Sequence, residues 1–267
     1  MIISSPRYAR DVRDAVAADV PPIELRYTAL YGVSSRSPFA YLTTTRVYSH
    51  LLGVLDPQTL VDVADTPEAV ELARRAARDA LDALAAFDEA GRHVSFIAVR
   101  APVAWLTCGT LYDDLKRLFG ERDLSHDRLC LAFPPAVTVS VDPRVRQSLL
   151  DARLLSVRTM ITGCGSDETA LPSLMRLPFT EALLTAGTTA LTQDRDHPGV
   201  FDALVGYLHS LEVAVYAEGA TSDDVIRACQ RAECAGYVPA PDYRGVTEHF
   251  APDVPLTDAI AHKEVSD

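Results

Sequence analysis

The sequence predicts an α/β protein in which parallel strands alternate with helices in one domain. Apolar runs of strand length alternate with segments of helical period from about Leu25 onward, which is the pattern of βα units. The chain has 267 residues, of which 48% are hydrophobic, so it can form one large core. Single-domain α/β barrels commonly reach roughly 200 to 250 residues, and this length therefore favours a single domain.

The individual elements are predicted from short apolar runs and from helix-capping residues. Strands are expected at residues 94–99, 128–133, 156–162, 181–185, 213–217 and 236–238. Helices are expected to begin where a capping side chain precedes proline or acidic residues, at Thr66, Asp142, His197 and Ser222. Each of these caps follows a predicted strand or loop, as a repeated βα arrangement requires.

Composition limits the compartment and the partners. The net charge of −12 and the isoelectric point near 5.0 argue against nucleic acid or a membrane as a partner, because both usually select a basic surface. The five cysteines include no Cys-x-x-Cys pair, which is typical of a reducing compartment. Residues 1–19 contain no apolar stretch for a signal peptide. We therefore expect a cytoplasmic protein.

Two segments towards the C-terminal end carry a family resemblance. Residues 215–221 are Val-Tyr-Ala-Glu-Gly-Ala-Thr, and residues 234–239 are Cys-Ala-Gly-Tyr-Val-Pro. They resemble the last two strands of the EAL-type cyclic di-GMP phosphodiesterases of bacterial signalling, which run roughly Ala-Glu-Gly-Val-Glu-Thr and Gln-Gly-Tyr. The resemblance extends by landmark spacing over residues 23–250. It implies a modified TIM (β/α)8 barrel, with 1–22 as an N-terminal arm and 251–267 as a C-terminal tail.

The upstream segments resemble the family in position more than in chemistry. Residues 42–46 are Leu-Thr-Thr-Thr-Arg where the family has Glu-Ala-Leu-x-Arg. The resemblance thus places Leu42 at the family's Glu and Arg46 at an arginine near the substrate phosphates. Of the acidic set, Glu218 is retained. The other metal-binding, acidic and lysine positions of the family fall on Val99, Ala132, Pro135, Leu183 and Thr185.

These differences lead us to expect no catalytic residue, no metal ligand and no cofactor. Hydrolysis of a phosphodiester by two metal ions needs oxygen ligands to hold the ions, and apolar side chains supply none. The expected barrel mouth, lined by Leu42, Val99, Ala132 and Leu183, is apolar and disfavours a charged ligand. We therefore expect that the protein is a degenerate EAL domain and not an enzyme.

Arg46 and Glu218 are the candidate ligand-binding residues. Arg46 could bind a phosphate through two hydrogen bonds, or it could form a surface pair with one of the 37 acidic residues. Glu218 fits a surviving catalytic carboxylate. It fits better a partly buried acid that is held at a strand end by hydrogen bonds and backbone amides.

A glycine-containing segment offers weaker signals. Residues 163–166, Gly-Cys-Gly-Ser, superficially resemble a phosphate-binding loop, but no Gly-Lys-Ser/Thr follows, so a flexible loop is favoured. Cys164 as a nucleophile would need a neighbouring base. The sequence identifies none, and we expect an unreactive thiol.

The favoured function is regulatory, through contacts with a protein partner. One alternative is a receptor that binds cyclic di-GMP, weakly, or another nucleotide without cleaving it. A second is an enzyme of different chemistry that uses the barrel mouth. The resemblance also implies a homodimer formed around residues 163–177. Leu171, Leu174 and Leu177 have helical spacing there, although they could equally pack on the barrel.

Overall fold

A computed structural model describes residues 23–49, 53–55, 66–120, 122–197, 199–241 and 253–261. The strands are β1 (Ile23–Gly32), β2 (Pro38–Ser49), β3 (Gly53–Leu55), β4 (Phe96–Arg100), β5 (Leu129–Phe133), β6 (Arg158–Cys164), β7 (Glu181–Leu184), β8 (Ala214–Ala220) and β9 (Gly236–Pro239). The helices are α1 (Pro67–Glu89), α2 (Val103–Thr107), α3 (Leu111–Phe119), α4 (Pro143–Leu154), α5 (Leu171–Leu174), α6 (Ala186–Ala190), α7 (Val200–Ser210), α8 (Asp223–Arg231) and α9 (Leu256–Ala261).

The pairing of β1 with β2 closes the sheet into a barrel. The strand order is β1-β9-β8-β7-β6-β5-β4-β2-β3, and the additional β1–β2 pairing leaves β3 outside a ring of the other eight strands. Within the ring β1 is antiparallel to both of its neighbours, whereas the remaining pairs are parallel. The expected (β/α)8 barrel is confirmed, and its modification is the reversed first strand.

Most predicted helix starts are confirmed by side-chain caps. Backbone amides of the first helical turn donate to the side chains of Thr66, Asp142 and Ser222. The prediction at His197 is wrong, because α7 begins at Val200 with Gly199 as its N-cap. Asp194 accepts hydrogen bonds from the His197 amide and, at 3.0 Å, from its ring, which holds His197 in the preceding turn. No helix among the described residues is long and apolar enough to cross a membrane.

The barrel interior is filled by side chains. Its inner cluster consists of Leu30, Ala40, Phe96, Ala98, Cys130, Ala132, Met160, Leu183, Tyr216 and Val238. A larger cluster fills the layer between the sheet and the surrounding helices. Because side chains fill the interior, a ligand can approach the barrel at its ends, and in such barrels the site lies at the C-terminal ends of the strands.

Part of the expected C-terminal tail is packed against the barrel. The backbone groups of Val254 and Tyr27 exchange two hydrogen bonds, with N···O distances of 2.7 and 3.0 Å. The following helix α9 packs on β1 with Ala259 fully buried. Its Ala259 carbonyl accepts hydrogen bonds from the Tyr41 hydroxyl at 3.1 Å and from Arg92 at 2.6 Å. Residues 253–261 therefore pack on the outside of the barrel wall.

Candidate functional site

A cavity of about 120 Å³ lies at the C-terminal ends of the strands. Its apolar lining is Leu42, Ala98, Ala132, Leu183 and Val238. Its polar lining is Thr28, Thr43, Thr44, Arg100, Thr162 and Glu218. The expectation of an apolar mouth is therefore wrong in part, because threonine hydroxyls and two opposite charges share the cavity with the expected Leu42, Ala132 and Leu183.

Val99 is the residue that was wrongly assigned to the mouth. Successive residues of a strand point to opposite faces, so a displacement of one residue exchanges the two faces. On β4 the residues that line the cavity are Ala98 and Arg100, whereas Val99 is fully buried in the layer between sheet and helices. A cation thus reaches the mouth from a strand on which only an apolar side chain was expected.

Glu218 lies at the rim, near the end of β8. The next residue, Gly219, has φ +77°, and a Cβ atom there would approach the Ala186 Cβ to 2.5 Å, so the turn in the strand requires glycine. The Glu218 side chain lines the cavity. Glu218 is exposed at the rim, but the mouth around its carboxyl partly removes water from it and so raises its pKa, and the positive charge of Arg100 partly offsets this rise. The structure thus brings one carboxyl group and one guanidinium group to the lining of the same cavity.

Arg46 lies on β2, above the cavity. Its Nη2 atom donates to the Asp253 carboxylate at 2.6 Å, and about one third of its side chain is exposed. The ion pair that the sequence offered as the alternative role of Arg46 is thus present, with a partner from the C-terminal segment. Thr44 lies two residues before Arg46 on β2 and lines the cavity. Its hydroxyl donates to the same carboxylate at 2.7 Å.

Arg26 is a second cation on this rim, and sequence reasoning missed it. It lies on β1 directly opposite Thr44, donates to Glu24 at 3.0 Å and also donates to the Asp253 carbonyl. Its Nε atom is buried and has no hydrogen-bond partner among the described residues. Had a strand been predicted over residues 24–28, the alternation of side chains along it would have placed Arg26 on the same face as Thr28.

The donor set of the mouth does not fit the pair of divalent ions that the family resemblance implies. Glu218 is the one carboxylate among the described residues that line the cavity. The described part of the chain contains no group of three or more His, Cys, Asp or Glu side chains that could hold a metal ion. Two metal ions roughly 3.5–4 Å apart require several oxygen ligands. No chemical step at this mouth is therefore assigned to a metal.

The glycine-containing segment at the end of β6 does not form a reactive centre. Cys164 is fully buried, and burial raises its pKa to about 11. A thiol with a raised pKa holds little nucleophilic thiolate at neutral pH. Gly163 and Gly165 both have positive φ, 64° and 88°, so this turn is set by backbone geometry.

The topology and the position of the cavity define a (β/α)8-barrel protein whose site lies at the C-terminal mouth. A family model described as the EAL domain matches residues 9–237, and the chain belongs to this family. No curated protein matches the sequence.

Solved structures share the fold at low sequence identity. The structure described as "PaMucR Phosphodiesterase, c-di-GMP complex" has a TM-score of 0.77 and 17% identity, and the match covers 95% of this chain and 99% of that one. The EAL enzyme Bd1971, in its cAMP- and cyclic-di-GMP-bound form, gives 0.80 and 13%, with 96% and 68% covered. The Xanthomonas citri FimX EAL domain in complex with c-diGMP gives 0.70 and 16%, with 87% and 90% covered.

These comparisons contradict the expectation that the chain is not an enzyme. The chain belongs to the EAL family, and it shares its fold with structures described as a phosphodiesterase and as an EAL enzyme. The expectation assumed that family positions can be assigned one by one along each strand. Val99 illustrates the physical reason for the error, since a displacement of one residue replaces a mouth position with an outer-layer position.

We predict that the Arg100→Gln substitution raises the pKa of Glu218 further above its ordinary value of 4.5. The substitution removes a positive charge that favours the ionised carboxyl. An NMR titration of the Glu218 side chain measures the change. The control is Arg153→Gln, because Arg153 pairs with Glu212 away from the cavity. An unchanged Glu218 pKa in Arg100→Gln would show that the two charges do not interact across the mouth.

Proposed function

We propose that the chain acts in cyclic di-GMP signalling and binds cyclic di-GMP at the barrel mouth, with Arg46 and Glu218 among the contacting residues. The supporting observation is that the rim holds an anion in this structure. The Asp253 carboxylate accepts hydrogen bonds from Arg46 and Thr44 at 2.6 and 2.7 Å. Arginine and hydroxyl donors that hold a carboxylate can also hold a phosphate.

Three arginines around the mouth change the energetic argument. Each charge-assisted hydrogen bond contributes about 1.5–3 kcal/mol, whereas micromolar affinity requires about 8 kcal/mol. Arg46 alone falls short of this value, which is why weak binding was expected from the sequence. Arg26, Arg46 and Arg100 together can approach it.

Glu218 is the residue to which we assign any proton transfer at the mouth. A general base or acid works best when its pKa lies near the operating pH. Burial moves the pKa of Glu218 in that direction from its ordinary value. In its ionised form Glu218 repels a dianionic ligand, so the affinity for the ligand is expected to increase as the pH falls through this raised pKa.

Calorimetry with cyclic di-GMP tests the proposal. We expect Arg46→Gln and Arg100→Gln each to weaken binding by about tenfold, the change that 1.4 kcal/mol produces. Glu218→Gln is expected to strengthen binding and to remove its dependence on pH between acid and neutral conditions. Arg153→Gln removes the same charge away from the mouth and should leave the affinity unchanged.

Titrations of the wild-type protein that show no heat of binding would contradict the proposal, and so would equal losses of affinity in Arg153→Gln and Arg46→Gln.

Chromatography of the same samples for the linear product of cyclic di-GMP hydrolysis tests the role of Glu218 in proton transfer. Turnover that persists in Glu218→Gln would exclude this side chain as the proton-transfer group.

We also propose that two copies of the chain associate, through an apolar face beside the region expected from the sequence. Leu174 is buried, and Leu171 and Leu177 pack against the core, so these leucines serve the barrel. The exposed apolar side chains lie next to them: Val139, Val141 and Met175 are 63%, 97% and 69% exposed. Burial of such side chains against a second copy would remove apolar surface from water.

Sedimentation velocity tests the association. We expect Val141→Asp to shift a dimer to monomer, because a charge at the centre of an apolar contact must lose its hydration. Leu154→Asp is the matched control, since Leu154 is 75% exposed and lies at the far end of α4. A wild-type protein that sediments as a monomer, or an equal shift in both variants, would contradict this interface.

A further inference from the structure

Asp253 is held at the mouth as a ligand would be. Its carboxylate accepts from Thr44 and Arg46, and its backbone carbonyl accepts from Arg26. Its amide donates to the Thr28 hydroxyl at 3.2 Å. Thr28 and Thr44 both line the cavity, so the C-terminal segment contacts residues that would face a bound ligand.

The carboxylate satisfies this rim incompletely. Arg26 Nε lies 3.9 Å from the nearer Asp253 oxygen, too far for a hydrogen bond, and it is buried with no other partner in the part of the chain that the structure describes. An unsatisfied buried donor is unfavourable. The two non-bridging oxygens of a phosphodiester are tetrahedrally arranged and lie farther apart than the two oxygens of a carboxylate. A phosphodiester can therefore bridge Arg26 and Arg46 where Asp253 leaves one donor unpaired.

The segment that carries Asp253 is attached elsewhere by contacts that no mouth ligand would touch. Val254 pairs with the Tyr27 backbone, and Arg92 donates to the carbonyls of Ala259 and Ile260 at the end of α9. Asp253 itself has φ +62°, in the left-handed region that is unfavourable for residues other than glycine. Docking thus holds Asp253 over the mouth in a strained conformation.

We propose that residues 253–261 form an autoinhibitory strap, in which the Asp253 carboxylate takes the position of a ligand phosphate between Arg26 and Arg46. Arg26, Thr44 and Arg46 donate to Asp253 in this structure, and a phosphate between the two arginines would use the same donors. A cyclic dinucleotide therefore binds there after Asp253 leaves the rim. This inference rests on the proposed function, because it assigns regulation to the same site.

The first test compares two variants of equal charge change. Asp253→Asn removes the competing carboxylate, and its affinity for cyclic di-GMP in calorimetry is expected to exceed that of the wild type by about tenfold, the factor that corresponds to 1.4 kcal/mol. Asp258→Asn is the control. Asp258 lies exposed on α9, and among the described residues its carboxylate bonds only to Thr257. The affinity of Asp258→Asn for cyclic di-GMP should therefore equal that of the wild type.

The second test separates release of the strap from a simple effect of charge. Arg92→Gln removes a positive charge, which by charge alone would weaken the binding of an anion. It also removes the hydrogen bonds that hold α9, so the proposal predicts tighter binding. Hydrogen exchange of residues 253–261 without ligand should increase in Arg92→Gln and in Asp253→Asn, and added cyclic di-GMP should increase it in the wild type.

The outcomes are distinct. Tighter binding in Asp253→Asn and Arg92→Gln, with Asp258→Asn unchanged, supports the strap. Measurable binding that is equal in the wild type and Asp253→Asn overturns the strap and leaves the proposed function intact. Weaker binding in Arg92→Gln also overturns it, because the effect would then be one of charge. Absence of binding in every variant overturns both proposals.

Discussion

The antiparallel pairing of β1 with β2 is the constraint on which the rest of the structure depends. It closes the barrel, and its register sets Arg26 opposite Thr44 and Thr28 opposite Leu42. Because side chains alternate along a strand, the same register directs Arg26, Thr44 and Arg46 to one face above the mouth. The arrangement of the cationic rim is thus a consequence of barrel closure.

The rim couples two binding equilibria. Arg26 and Arg46 bind Asp253 in this structure, and a phosphate ligand would use the same donors. A ligand shifts such an equilibrium only by the difference in its affinity for the two states. The unpaired Nε of Arg26 and the left-handed conformation of Asp253 both reduce the stability of the closed state. A ligand can therefore open the mouth with a smaller difference between its affinities for the open and the closed state.

The sequence predicts the barrel well because strand and helix signals are local. The caps at Thr66, Asp142 and Ser222 depend on neighbouring residues alone. The mouth is harder to predict, since Arg26 and Asp253 are far apart in sequence and meet through β1 closure and α9 docking. The assignment of Val99 failed for a related reason. Side-chain direction depends on strand register, and a family pattern at low identity does not fix that register to one residue.

The structure of the full chain with cyclic di-GMP tests the central claim most directly. The account predicts a ligand phosphate between Arg26 and Arg46, with an oxygen within hydrogen-bond distance of Arg26 Nε and with Asp253 displaced from Arg46. A complex in which Asp253 still binds Arg46, while the ligand lies elsewhere on the protein, would contradict it.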